Sequence, residues 1–163
     1  MSWKIWFPVY LCCLAIAAQG QTPSSIYKST SGEAYFKSDA PLEVIEARST
    51  QLRGIIDASK YTFAFSIPIR SFEGFNSPLQ REHFNENYLE SDKFPKATFL
   101  GKMIEKIDLS KDGNHEVRAK GQLQIHGIVT ERIIKSQLEV KAGQLFIRSA
   151  FTVLLKEHDI KIP

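Results

Sequence analysis

Strict two-residue alternation constrains this chain more than any other feature. Tyr61, Phe63, Phe65, Ile67 and Ile69 alternate with Thr62, Ala64, Ser66 and Pro68, so large apolar groups share one face of an extended segment. The pattern returns at His115–His126, where Val117, Ala119, Gly121, Leu123 and Ile125 oppose Glu116, Arg118, Lys120, Gln122 and Gln124. Ile128–Lys141 and Gln144–Lys156 form two more long strands around a tight Ala142-Gly143 turn. The last of them carries Leu145, Ile147, Ser149, Phe151, Val153 and Leu155 on one face. A weaker strand spans Tyr27–Phe36, and a longer one, Leu42–Asp57, has an alternation that slips between Val44-Ile45 and Leu52. Such a slip predicts a bulge or sharp bend. With a further strand from Lys96 to about Ile107 and no strand–helix–strand alternation, the chain is all-β, an antiparallel meander closing into a barrel.

One stretch interrupts the strands. Ser77-Pro78-Leu79-Gln80 offers a hydroxyl cap, proline at the first helical position and glutamine at the third, a capping box that predicts a helical insert around residues 78–90. Leu79, Phe84 and Tyr88 are spaced to share its face. Pro95 holds Phe94 extended and returns the chain to a strand. The insert is expected to plug or cover one end of the barrel.

The first twenty residues differ from the rest. Lys4 precedes an apolar run from Ile5 to Ala18, and Ala18-Gln19-Gly20 supplies small residues for cleavage, the pattern of a secretory signal peptide. The expected organisation is a leader over 1–20 and a single domain over 21–163, exported to the periplasm or secreted. Neither Cys12 nor Cys13 follows a convincing lipoprotein box. Because both cysteines lie in the leader, the mature domain has none, and a catalytic thiol or cysteine–metal site is excluded. Removing Lys4 takes the formal charge from +3 to +2, too small and evenly spread to argue for nucleic acid. No later segment is long and apolar enough to span a membrane.

Small residues interrupt the bulky inward face. Gly101, Ala119, Gly121, Ser136 and Ser149 fall among Phe63, Phe65, Phe99, Leu123, Ile125, Leu138 and Phe151. Two packings fit. In one, the small residues leave an elongated apolar cavity suited to a hydrocarbon chain; in the other, they match large residues on the opposite wall or mark bends.

Polar candidates are few. Asn85, Asn87 and Tyr88 lie in the insert, placed to meet a ligand head group at a barrel mouth. Arg132 shares parity with Ile134, Ser136, Leu138 and Val140, so a regular strand points it inward, where its guanidinium suits a pyrophosphate, whereas a bulge near Thr130 sends it to solvent. The carboxylates Glu86, Glu90 and Asp92 suit either a solvated face or acid–base chemistry. His126, at a strand end, is expected to face solvent or brace the turn. With His83, His115 and His158 it makes no metal-ligand spacing, so no metal or cofactor is expected. No nucleophile elbow, Walker loop or dinucleotide fingerprint occurs.

Phe84-Asn85-Glu86-Asn87-Tyr88-Leu89-Glu90-Ser91 with Lys93-Phe94-Pro95-Lys96-Ala97-Thr98-Phe99, followed by Gly121-Gln122-Leu123-Gln124-Ile125-His126-Gly127, resembles the YceI-like family of polyisoprenoid-binding proteins. The resemblance extends from about Tyr27 to the C-terminus. It implies a lipocalin-like barrel with a long apolar pocket and the insert across one end. The expected lining is Phe63, Phe65, Phe99, Gly121, Leu123, Ile125 and Phe151. The implied function is non-catalytic binding or carriage of an isoprenoid or other long-chain lipid. Alternatives are a hydrolase or isomerase working at the insert, and a dry barrel binding a protein partner. The family pattern usually adds one more strand, so the last strand is apparently missing here: either the sequence is a fragment, the favoured reading, or the barrel is completed otherwise.

Overall fold

In the computed structural model, which describes residues 26–39 and 44–161, seven antiparallel strands follow one another in chain order, each paired with the next. They are β1 (Ile26–Asp39), β2 (Val44–Asp57), β3 (Thr62–Pro68), β4 (Lys96–Met103), β5 (Gly113–Ile125), β6 (Ile128–Lys141) and β7 (Gln144–Ser149). The sheet curls into a nearly closed barrel, as the alternation requires of a sheet with one apolar face. The proposed leader and its cleavage site lie outside the described residues.

Local chemistry sets the register. β5 and β6 pair without a shift from Gly113↔Val140 to Ile125↔Ile128. His126-Gly127 joins them with φ of 50° and 74°, the doubly left-handed turn that matches the twist of a hairpin. Ala142-Gly143 does the same for β6 and β7, at 49° and 75°. The expected slip in β2 is real: the β1–β2 register shifts between Ser29 and Ala34, and the buried side of β2 changes from Ile45, Ala47 and Ser49 to Ile56.

One cross-strand row corrects the reading of the glycines as open space. Tyr27, Ile56, Phe63, Gly101, Gly121 and Arg132 are successive partners from β1 to β6. A Cβ on Gly101 would stand 2.1 Å from the Lys120 carbonyl oxygen and 2.6 Å from the Gly121 Cα. One on Gly121 would stand 2.3 Å from the Leu100 carbonyl oxygen. The two strands approach so closely here that backbone fills the place of both side chains.

Each end of the barrel is covered. At one, the connection after β4 buries Leu109, and the Tyr27 hydroxyl donates to its carbonyl at 2.7 Å. At the other sits the insert, whose helix α1 (Pro78–His83) begins as expected, with the Gln80 amide donating to Ser77 Oγ at 3.1 Å. The Gln80 side chain reaches one residue further back than a capping box, accepting from the Asn76 amide at 2.9 Å. The expected face is also offset. Leu79 is 58% exposed, whereas Gln80, Phe84 and Leu89 are buried. A wider turn over Phe84–Tyr88, closed by the Leu89 amide on the Phe84 carbonyl at 2.9 Å, brings Phe84 and Leu89 inward together. Phe84 then sits among Phe36, Phe75 and Phe72, with ring centroids at 5.2, 5.0 and 6.0 Å. Reciprocal 2.8 Å backbone bonds between Arg48 and Glu73 hang the insert on β2.

The last strand is shorter than its alternation implies. β7 pairs with β6 only from Lys141↔Gln144 to Ser136↔Ser149, leaving Ile128–Lys135 without a strand partner on that side among the described residues. Residues 150–154 are irregular, and a 3-10 turn follows at Leu155–His158. No ladder joins β1 to β7 among the described residues.

The glycine row generates a test. Gly101→Ala is expected to destabilise the fold by about 3 kcal/mol, the upper end of overpacking costs, because the obstructing atoms are backbone. Urea denaturation measures this, and an unchanged midpoint would show that β4 and β5 separate freely.

Candidate functional site

Two buried apolar clusters divide the inner face. Ile56, Phe63, Met103, Leu109, Val117 and Leu138 belong to one apolar cluster; Ile67, Ile69, Phe72, Phe84, Leu89 and Ile160 belong to another, under the insert. No buried residue is common to both. Between them the inward residues Leu52, Phe65, Ala97, Phe99 and Ile125 are only half-buried. Phe65 and Phe99 are direct cross-strand partners, and the Phe63 and Phe99 rings lie 4.9 Å apart. A barrel filled by its own side chains seals such mid-strand positions. Here they stay half-buried, Phe65 and Phe99 packed against the first cluster and Leu52, Ala97 and Ile125 against the second. Among the described residues no ladder joins β1 to β7, and β7 covers only the Ser136–Lys141 part of β6.

Arg132 and Thr130 give this part of the wall its polar character. Because the β5–β6 ladder has no bulge, Arg132 keeps inward parity, directly across from Gly121. Its side chain is 24% exposed and paired with the Glu157 carboxylate. The Arg132 Nε and the Thr130 Oγ1, two residues away on the same face, are buried without hydrogen-bond partners.

His126 proves more constrained than its position in the sequence implies. It is only 10% exposed. Its Nε2 lies 2.8 Å from a Glu90 carboxylate oxygen of the insert, and its Nδ1 lies 2.9 Å from the His158 carbonyl. Both neighbours are acceptors, so both bonds form only when each ring nitrogen carries hydrogen. The Phe94 ring meets the imidazole edge-on at 4.7 Å. His158, fully buried, places Nδ1 at 3.2 and 3.3 Å from the carbonyls of Ile125 and Ile128. Insert, β5–β6 turn and C-terminal segment are thereby latched together. Alternation missed this because a left-handed turn residue leaves the strand's parity. Glu90 has φ of 40° and also binds Lys93, and these two partners, Lys93 first, hold its carboxyl below the ordinary range.

Of the residues expected to line a pocket, Phe63 and Leu123 are buried on the inner face, while Phe65, Phe99 and Ile125 are half-buried on it. Gly121 offers backbone rather than space. Phe151 is placed elsewhere: it follows the end of β7 and is 51% exposed. The insert residues do not gather around Arg132. Asn85 donates to the Arg81 carbonyl at 2.9 Å and lines an outer cleft of about 750 Å³ with Arg70, Arg81 and Glu82. Asn87 is exposed, and Tyr88 packs beneath the insert. Glu86 is exposed, and the Glu90 oxygens are engaged by Lys93 and His126. Among the described residues no three of His, Cys, Asp and Glu gather as metal ligands would.

The model of the YceI-like domain matches residues 28–162. The chain belongs to the YceI-like family. Solved structures similar to this YceI-like chain are distant in sequence. A polyisoprenoid-binding domain from Saccharophagus degradans, implicated in plant cell wall breakdown, is 11% identical with a TM-score of 0.67, over 84% of this chain and 82% of that one. BcnA of Burkholderia cenocepacia is 9% identical with a TM-score of 0.52, over 80% of this chain and 70% of that one. At such identities the likeness shows the shared fold, the barrel that the sequence resemblance implied. No curated protein matches the chain.

The latch predicts an acid-sensitive contribution from Glu90. A carboxyl whose folded pKa is depressed stabilises fully above its unfolded value, here near 4.5, and that stability disappears as pH falls through the folded value. Glu90→Gln is therefore expected to melt below the wild type at pH 7, with the gap closing under acid. Thermal melts across this range measure it, and a constant gap would count against an ionic latch.

Proposed function

We propose that this YceI-like barrel binds the hydrocarbon part of an isoprenoid or similar long-chain amphiphile, holding or carrying it without chemical change. The observation that carries the reading is the half-buried wall of Leu52, Phe65, Ala97, Phe99 and Ile125 between two packed ends. An apolar chain laid there removes both its own surface and that wall from water. Each buried methylene contributes about 0.8 kcal/mol, so ten carbons offer about 8 kcal/mol before the costs of ordering and association. The Saccharophagus degradans domain, described as polyisoprenoid-binding, supports a prenyl chain as the first ligand to try. The apolar leader at Met1–Gly20 supports action in the periplasm or outside the cell.

The test is uptake of a prenyl alcohol by the purified protein, read by mass spectrometry of organic extracts and by equilibrium dialysis. Ile125→Trp should fill the proposed slot along this wall and weaken uptake at least about tenfold, or 1.4 kcal/mol, while leaving a cooperative melt. A folded wild-type protein that neither yields lipid on extraction nor takes up the alcohol would overturn the reading.

A further inference from the structure

We propose that Arg132 and Thr130 form a head-group site for a compact anion, a phosphate or carboxylate, and that the Glu157 carboxylate occupies the anion's position until a ligand displaces it. This rests on the slot being the seat of an amphiphile, and it adds the ligand's charge and the contact that must break on entry. Three observations converge. Arg132 projects from the inner wall where β6 has lost β7 as a strand partner. Its guanidinium already holds one carboxylate, so the geometry suits an anion, yet Nε remains unpartnered. Thr130 Oγ1, next along the same face, is a second buried group with no partner. A phosphate has enough acceptor oxygens to engage all of these donors, whereas the single Glu157 carboxylate leaves two polar groups unserved.

The segment that bears Glu157 is anchored, but the Glu157 side chain itself is not sealed in place. The segment has no ladder to β6, and Glu157 itself is 36% exposed. Its anchors, Leu155 and Ile160 in the apolar cluster and His158 on the β5–β6 turn, flank the carboxylate on both sides. The side chain can therefore leave Arg132 while the segment stays attached. An arriving head group exchanges one charge-assisted pair for another, and the apolar slot lies on the same inner wall for its chain.

The experiment compares geranylgeranyl monophosphate with geranylgeraniol, which share a chain and differ in charge, on the full-length protein. Palmitate against cetyl alcohol repeats the comparison with a carboxylate. The anion should bind at least about tenfold more tightly than its alcohol. Glu157→Gln should tighten the anion and leave the alcohol unchanged. Arg132→Met should abolish the preference with the alcohol still bound, while Arg132→Lys keeps part of it and guards against a folding defect. A preference for phosphate alone or for both anions supports the site and distinguishes the two head groups. Equal binding of anion and alcohol, or a Glu157→Gln effect shared by both, overturns the head-group site and leaves the slot standing. Failure of every chain to bind overturns both.

Discussion

A curled sheet whose first and last strands do not pair is the constraint from which the rest of this structure follows. Closing a barrel by a ladder would satisfy the edge groups and seal the interior. Here β7 leaves β6 at Ser149, and the edge from Ile128 to Lys135 is bordered instead by a non-strand segment held through side chains. Those side chains bring charge and imidazole nitrogen to a place where a barrel would otherwise show only backbone. The gap in the ladder, the polar wall residues and the latch at His126 all lie close to that single departure.

The two apolar clusters divide the labour. One is closed beneath Leu109 and builds its packing from residues such as Val117 and Leu138, which are almost wholly shielded. The other is assembled from distant parts of the chain: Phe36 from β1, Phe72 from the turn after β3, Phe84 from the insert, Ile160 from the C-terminal segment. A cluster made of so many separate pieces depends on each being held by its own polar anchor, and the Arg48–Glu73 bonds, the Ser77 cap and the Glu90–His126 contact supply them. The two ends of the tube are thus closed by different means.

Much of this was legible in the residues. Period-two patterns located β3, β5 and β6, and Arg132 kept its parity because no bulge intervened. The Ser77-Pro78 start was equally plain, since a cap is a local event. What failed depended on neighbours. A glycine looks the same in sequence whether it leaves a hole or admits a second backbone, and Gly101 and Gly121 do the latter. Phe151 continues the alternation of β7 after the strand has ended, because periodicity records side-chain chemistry and not the presence of a partner. Leu79 lost its expected place to Gln80 because Gln80 stands four residues before the buried Phe84, on its face, and Leu79 stands five before it.

That widened turn carries a consequence for the chain's length. In an ordinary helix the Phe84 carbonyl would be met by the amide four residues on; here the bond waits one residue longer, for Leu89, so the turn holds one residue more than a regular helix needs. Taking that residue out would close an ordinary turn on the same carbonyl and keep the apolar contact. The surplus position is where this loop has length to give up.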